Sequence, residues 1–589
     1  MTTRSGRSRQ VVHMRRVFSP RGALALHNVD GALSFAVRAS LAMALPAVPI
    51  ALAGWADQAV YAMLGSFTTT FGRNLPYARR ARVLALVALA MTACVGCGSA
   101  LSAWVQPQSG GAGAAVVVAA TAVVAGLAKL ACDAARLSGL GAVLLLFSFA
   151  VSANGAPTPA DVLPETVLAA SGAVVAWVLS VLGWFVHPDR PQRLAVAAAL
   201  RELAGLLDAT VTSEDMTRPL RHRATAAVLE AHWTLGLLPA AAAERGRRGG
   251  ICVRLTDLSW SLLISSARRP PELPADLAVH LRDQAGMLVR RRRHEPRILA
   301  ELTLTWPMTV TQAGALFSEH TELAGTRPGT EQRAAELVIG RRRDGSAHAS
   351  GSVVPLVPAL RMVVGTGLAG GAALLLGLGH GYWAAISAAA VLHSINVRTA
   401  AQRAVQRTLG TAAGLGLALG VLALSPAPLT LVLVIVFLEF LLEYCVARNY
   451  GLGVVFLTPL ALLLSELAAP IPPEDLVQDR ALSSMVGIVV ALACALVMIH
   501  GHAAARVERA LAACTAAAEC AEQALEASAE ASFPQLQSHL AAAVVELREA
   551  DDAATGELWP SEIDPTELAV AEQRAYRLLE RLEGGHPGW

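Results

Sequence analysis

Two glutamates stand where carboxylates are costly. Glu439 and Glu443 are spaced i, i+4 within the apolar run Leu431 to Val446, so they share one face of a helix. A carboxylate at bilayer depth costs about 2.5–3.5 kcal/mol on insertion scales, so it normally faces a cavity or a partner. Glu439 lies about 16 Å from Pro428 at 1.5 Å per residue and is either a proton-coupling group or a structural hydrogen-bonding group. Glu443 lies nearer the inner surface, with Arg448 as a ready partner. Arg38 and Arg361 recur at similar depth in two halves of the chain. Each can snorkel to lipid head groups or receive a substrate carboxylate through its planar fork. Tyr382 and Trp383 open another apolar run, as an interfacial belt or as a stacking surface for an aromatic substrate. These groups suit the binding of a small anion and the movement of a proton, not covalent catalysis. The only lysine, Lys129, is flanked by Ala128 and Leu130. A phosphate-binding loop with lysine after glycine is therefore absent. No HExxH or Gly-x-Ser-x-Gly occurs, and Cys94 and Cys97 lie in an apolar run with no second pair nearby. The chain reads as a non-enzyme with no cofactor and no metal.

The elements that must position these groups are membrane helices. Of 589 residues only 16% are charged and 54% are apolar, with mean hydropathy +0.49. That composition excludes disorder and a fully soluble chain. A window of about 20 apolar residues finds spans near 31–53, 56–71, 83–105, 113–132, 137–153 and 163–187, then 355–377, 379–396, 406–425, 428–446, 450–469 and 481–500. Arginine clusters fall on alternate loops, which puts both termini in the cytoplasm of a plasma or inner membrane. Arg480, on an outer loop, is the one exception. The expected fold is all-α: about twelve transmembrane helices in two parallel six-helix repeats, each followed by a helical cytosolic region. Arg38 precedes Tyr61 by 23 residues and Arg361 precedes Trp383 by 22, which supports the repeat. The domain order is a basic segment 1–30, a first membrane repeat 31–187, a cytosolic domain 188–354, a second membrane repeat 355–500 and a tail 501–589. The cytosolic domain carries 23 arginines against 18 acids and the tail 6 against 16. Opposite charge predicts that the tail docks on the domain, with acids near Arg290–Arg293 and an apolar seam from Val507 to Leu525. The alternative is that the seam pairs with a second copy, giving a homo-oligomer. A net charge of +3 does not imply nucleic acid, and Arg290–Arg293 reads as a head-group contact or docking face.

The second membrane half carries a more specific pattern. Tyr382 and Trp383 are followed by Arg403 and Arg407, then by Gly410, Thr411 and Gly414. Glu443 and Tyr444 precede Arg448-Asn449-Tyr450-Gly451, and Thr458-Pro459 lies further on. Together these residues resemble the fusaric acid resistance protein-like family, the aromatic acid exporter group, over roughly 355–500. The resemblance implies gradient-driven export of small organic, often aromatic, acids, with the lipid bilayer and that substrate as partners. A more remote likeness to plant anion transporters leaves a passive anion channel open. A membrane scaffold recruiting partners through its cytosolic helices is the reading from another class. Gly410, Gly414, Gly416 and Gly420, at GxxxG spacing, predict close helix packing.

Overall fold

The computed structural model describes Leu26, residues 31–236 and 356–584 with short breaks, and parts of 252–289. The basic segment before residue 26 and the run Arg290–Arg293 lie outside the described residues. All regular structure described is helical. The first set is α1 (Ala32–Leu52), α2 (Ala56–Ser66), α3 (Tyr77–Val105), α4 (Gly111–Ala134), α5 (Gly141–Ala153) and α6 (Val162–Val186). A layer of less apolar helices follows: α7 (Arg190–Ala209), α8 (Glu214–Gly236) and α9 (Pro274–Val289). The second set is α10 (Leu356–Leu375), α11 (Tyr382–Leu392), α12 (Val397–Leu422), α13 (Pro428–Val446), α14 (Tyr450–Ala468) and α15 (Pro473–Met498). The chain closes on α16 (His502–Glu526), α17 (Phe533–Thr555) and α18 (Pro565–Gly584).

Nine of the described helices are long and apolar enough to cross a bilayer. The chain is a multi-pass helical membrane protein. The expectation of twelve full spans needs correction at α2, α5 and α11. These have 11, 13 and 11 residues, and at 1.5 Å per residue they are roughly 16–20 Å long, against a bilayer core of about 30 Å. Every residue of α5 and α11 is buried. A short helix leaves backbone groups at membrane depth, which is tolerated only where protein surrounds them. At α2 the span read from the sequence runs on to residue 71 across the 3-10 turn Phe67–Thr70, of which Phe67, Thr68 and Thr69 are buried.

The first and fourth helices of each set cross over to the other set. α1 packs on α13, and α10 packs on α4. Within each set the second and sixth helices come into backbone contact at a glycine. A Cβ on Gly172 of α6 would lie 1.9 Å from the Ala62 carbonyl oxygen of α2, and one on Gly487 of α15 would lie 2.2 Å from that of Ala384 of α11. Only glycine fits there. These two contacts put the halves in register: Tyr61 and Trp383 each stand one residue before the contacting alanine. Gly410 and Gly414 of α12 approach α14 less closely, where a Cβ would lie 2.8 Å from the Gly451 carbonyl oxygen and 2.7 Å from the Thr458 Cβ, whereas Gly416 and Gly420 have nothing within 4 Å.

A second hydrophobic core lies outside the apolar bundle. Leu200, Leu203 and Leu207 of α7 and Leu281 of α9 share it with Val507 and Cys514 of α16 and with Leu540, Leu547 and Leu579 of the tail. The middle region and the tail are thus docked. The Val507–Leu525 seam plays a different part from the one expected, since α16 contacts α17 and α18 and closes the tail's own three-helix bundle. The tail reaches the middle region through α17 against α8, and through the Tyr576 hydroxyl, 2.9 Å from that of Thr225.

The turn after α17 grips the membrane bundle where α11 ends. Asn396 caps α12 by accepting from the Thr399 N–H at 2.8 Å, and its amide donates to the Ala553 carbonyl at 3.2 Å. The Arg398 N–H donates to the Gly556 carbonyl at 3.0 Å. Glu557 is buried in the same turn, and its carboxyl is pushed up to about 7 by that burial, against the pull of Arg361 and the Val397 N–H. Released to water it would return to about 4.3. The gripped state therefore binds the proton more tightly. Its extra stability is present in acid and is lost as pH rises through about 7. Hydrogen exchange at residues 396–399 should accelerate between pH 6 and pH 8 beyond the intrinsic pH effect. Glu557→Gln should flatten that excess; an unchanged profile in the variant would show that another group sets it.

Candidate functional site at the buried arginines and the interface between halves

α13 carries its two glutamates inward, against the first half. Glu439 is 1% exposed and one of its carboxylate oxygens, Oε2, has no hydrogen-bond partner. One turn later Glu443 meets Arg73, which follows the 3-10 turn after α2: the guanidinium lies 3.5 Å from the carboxylate and donates to the Glu443 carbonyl at 3.1 Å. The expected Glu443–Arg448 pair does not form. Arg448 lies over the Tyr444 ring at 3.8 Å and donates to the Tyr444 carbonyl. Arg73 lies over Phe35 at 3.8 Å, and Arg38 lies over the same ring at 4.7 Å with its Nε unpartnered.

The two matched arginines have different surroundings. Arg38 stands near the Glu443 carboxylate of α13. Arg361 donates to the Leu392 and Ser394 carbonyls at 2.6 and 2.7 Å, so it satisfies the C-terminal end of α11. Neither snorkels outward, since both are largely enclosed by protein.

α11 holds Tyr382 and Trp383 inside the bundle, 7% and 2% exposed, so they form no interfacial belt. The aromatic chain Phe67–Phe147–Trp383 runs from the first half into the second, with ring centroids 6.0 and 5.9 Å apart. The Arg480 guanidinium lies over the Trp383 ring at 3.5 Å. Arg480, on α15, and Arg407, on α12, are each 1% exposed. Nε and Nη1 of both lack hydrogen-bond partners, as do the Thr411 and Thr458 hydroxyls. The helices that carry them, α12 and α15, pack against each other. A cavity of about 120 Å³ between α4 and the α10–α11 junction ends at Tyr382, beside His380. His380 is paired with Asp479 at 3.0 Å.

The other residues of the motif serve the scaffold. Asn449 caps α14, accepting from the Gly451 N–H at 2.7 Å. Arg403 lies over Tyr450 at 5.5 Å and donates to the Ala390 carbonyl at 3.4 Å. Pro459 and Thr458 lie in the groove that Gly414 leaves open. Two groups escaped the sequence reading. Arg480 was visible there as the exception to the charge alternation; Arg73, one of several loop arginines, carried no signal.

These buried arginines fall within a recognisable stretch. Residues 368–494, from α10 to α15, match the model of the family described as fusaric acid resistance protein-like. Over 443 residues the chain is 24% identical to a protein of Bacillus subtilis (strain 168) described as the uncharacterized membrane protein YvaC, covering 73% of this chain and 67% of that one. That similarity is longer than the fusaric acid resistance protein-like segment. No solved structure matches.

Removing one partner of a buried ion pair leaves the other charge uncompensated. Arg73→Gln should therefore destabilise the protein by roughly 3 kcal/mol, read as a lowered unfolding midpoint in detergent. Adding Glu443→Gln should recover most of that loss. A double variant no more stable than Arg73→Gln would mean that the pair does not join the halves.

Proposed function

We propose that this protein is a gradient-driven exporter of small organic anions in the plasma or inner membrane, with its second core on the cytoplasmic side. The observation that carries the reading is the pair Arg407 and Arg480, buried without ion pair or hydrogen bond among the described residues. An ionised group away from water is retained at a cost of several kcal/mol unless something neutralises it. An anion arriving between α12 and α15 does so. Trp383 supports the guanidinium face of Arg480 and leaves its edge donors free, and Arg binds a carboxylate through that edge.

Coupling belongs to α13. Glu439 lies on the helix that the first half grips through α1, so its ionisation changes the charge at the contact between halves. Alternating access in repeat-built transporters moves one half against the other. A proton on Glu439 would favour one packing of α1 on α13 and its loss the other. The short helix α11, held at its inner end by Arg361 and the tail, carries Trp383 and connects that movement to the anion site. Two repeats of six helices suit this mechanism, with α2, α5 and α11 as interior half-helices.

Proteoliposomes loaded with a panel of aromatic acids test the reading. The wild type should accumulate or expel an acid against its gradient when a pH difference is imposed. Arg480→Gln should abolish both driven transport and counterflow. Glu439→Gln should keep counterflow and lose the response to the pH difference. Movement only down the acid's own gradient, in wild type as in Glu439→Gln, would make the protein a passive anion channel.

A further inference from the structure

The register set by Gly172 and Gly487 allows the two halves to be compared residue by residue. Glu165 stands seven residues before Gly172, and Arg480 stands seven before Gly487. Each lies on the sixth helix of its half and faces the second helix, at Tyr61 and Trp383 respectively. The charge is inverted between the halves. Glu165 is satisfied from within, since both the Ser99 hydroxyl of α3 and the Tyr61 hydroxyl of α2 donate to it. It also lies in the first turn of α6, where the helix dipole favours a carboxylate. Arg480 has a ring under its face and no hydrogen bond. The scaffold thus accommodates either sign at this position and does not need a cation to pack. An arginine left open where the matched residue is closed points to a ligand.

Charge counting then bears on what the ligand is. Arg407 lies on α12, which packs against α15, and both guanidiniums are buried with unpartnered donors, so the site carries two positive charges. The carboxylate next in sequence, Asp479, is paired with His380. A monoanion would leave one guanidinium uncompensated, whereas a dianion answers both. Thr411, one turn after Arg407 on the same face of α12, adds a free hydroxyl for a further acceptor oxygen.

We propose that the site formed by Arg407, Arg480 and Trp383 selects a compact organic dianion, a dicarboxylate, with one acid group on each arginine. The inference rests on the transport reading only in taking the arginines as an anion site. The second acid group, not the aromatic ring, then supplies most of the discrimination.

Equilibrium competition on purified full-length protein tests this with benzene-1,2-dicarboxylate, benzoate and sulfate as probes. Close charge pairs are worth at least about tenfold in affinity, so the dicarboxylate should bind wild type at least about tenfold more tightly than benzoate. Arg407→Gln and Arg480→Gln should each weaken the dicarboxylate much more than benzoate and bring the two together, in protein whose unfolding midpoint shows it folded. The wild-type ratio needs no variant. Benzoate binding as tightly as the dicarboxylate would overturn the dianion proposal and leave the transport reading standing. Sulfate binding more tightly than the dicarboxylate would make the ligand inorganic and overturn it too. If none of the three binds, the arginines are not an anion site, and the transport reading falls as well.

Discussion

The backbone contact between Gly487 and Ala384 sets the geometry on which the buried Arg480–Trp383 contact depends. It holds α11 against α15 with no side chain between them, and so brings Trp383 of one helix under Arg480 of the other. A larger residue at 487 would separate the helices and take the ring from beneath the guanidinium. The equivalent contact of Gly172 with Ala62 does the same for Tyr61 and Glu165. Of the two short helices so held, α11 is wholly buried and α2 buries most of its residues. Their chemistry differs because the residues seven positions before the glycines differ, not because the scaffold does.

The sequence made the membrane character, the two sets of helices and the unusual placement of Glu439 legible, for reasons that act locally. Hydropathy is a sum over neighbours, and the cost of a carboxylate in an apolar run can be judged from the run itself. The match between Tyr61 and Trp383 was legible as spacing. The half-length of α2, α5 and α11 was not, because where a helix stops inside an apolar stretch depends on the protein around it and not on local composition. Nor was the Arg73–Glu443 pair, whose partners are 370 residues apart. Arg448 was the nearer cation in sequence, but it stacks on Tyr444 instead. The seam from Val507 to Leu525 could be read as a helical stripe, yet a stripe does not specify which helices cover it.

The two cores are joined at a small contact. Asn396 serves at once as the cap of α12 and as a donor to the tail, so the start of a bundle helix and the turn after α17 share one side chain. Arg361 closes the same region from above by holding the end of α11. A change in the docked helices therefore meets the bundle at the start of α12, the helix that carries Arg407, and not at the α1–α13 contact.

The exchange of α1 onto α13 and of α10 onto α4 also bears on how the molecule is made. When ribosomal synthesis has delivered α1 through α6, the faces of α1 and α4 that will be covered have nothing to cover them. More than 160 residues, including α7 to α9, separate the end of α6 from the start of α10. At roughly 5–20 residues per second that interval lasts many seconds. Throughout it Arg38 and the Lys129–Asp133 pair of α4 sit in an incomplete bundle. The lysine and aspartate neutralise each other one turn apart on their own helix, at 2.6 Å, and need no later partner. Glu439 and Glu443, on the corresponding crossing helix of the second half, arrive when the first half is already in place to receive them. The pair on α4 is thus complete as soon as its helix forms, whereas Arg73, made with the first half, waits for Glu443.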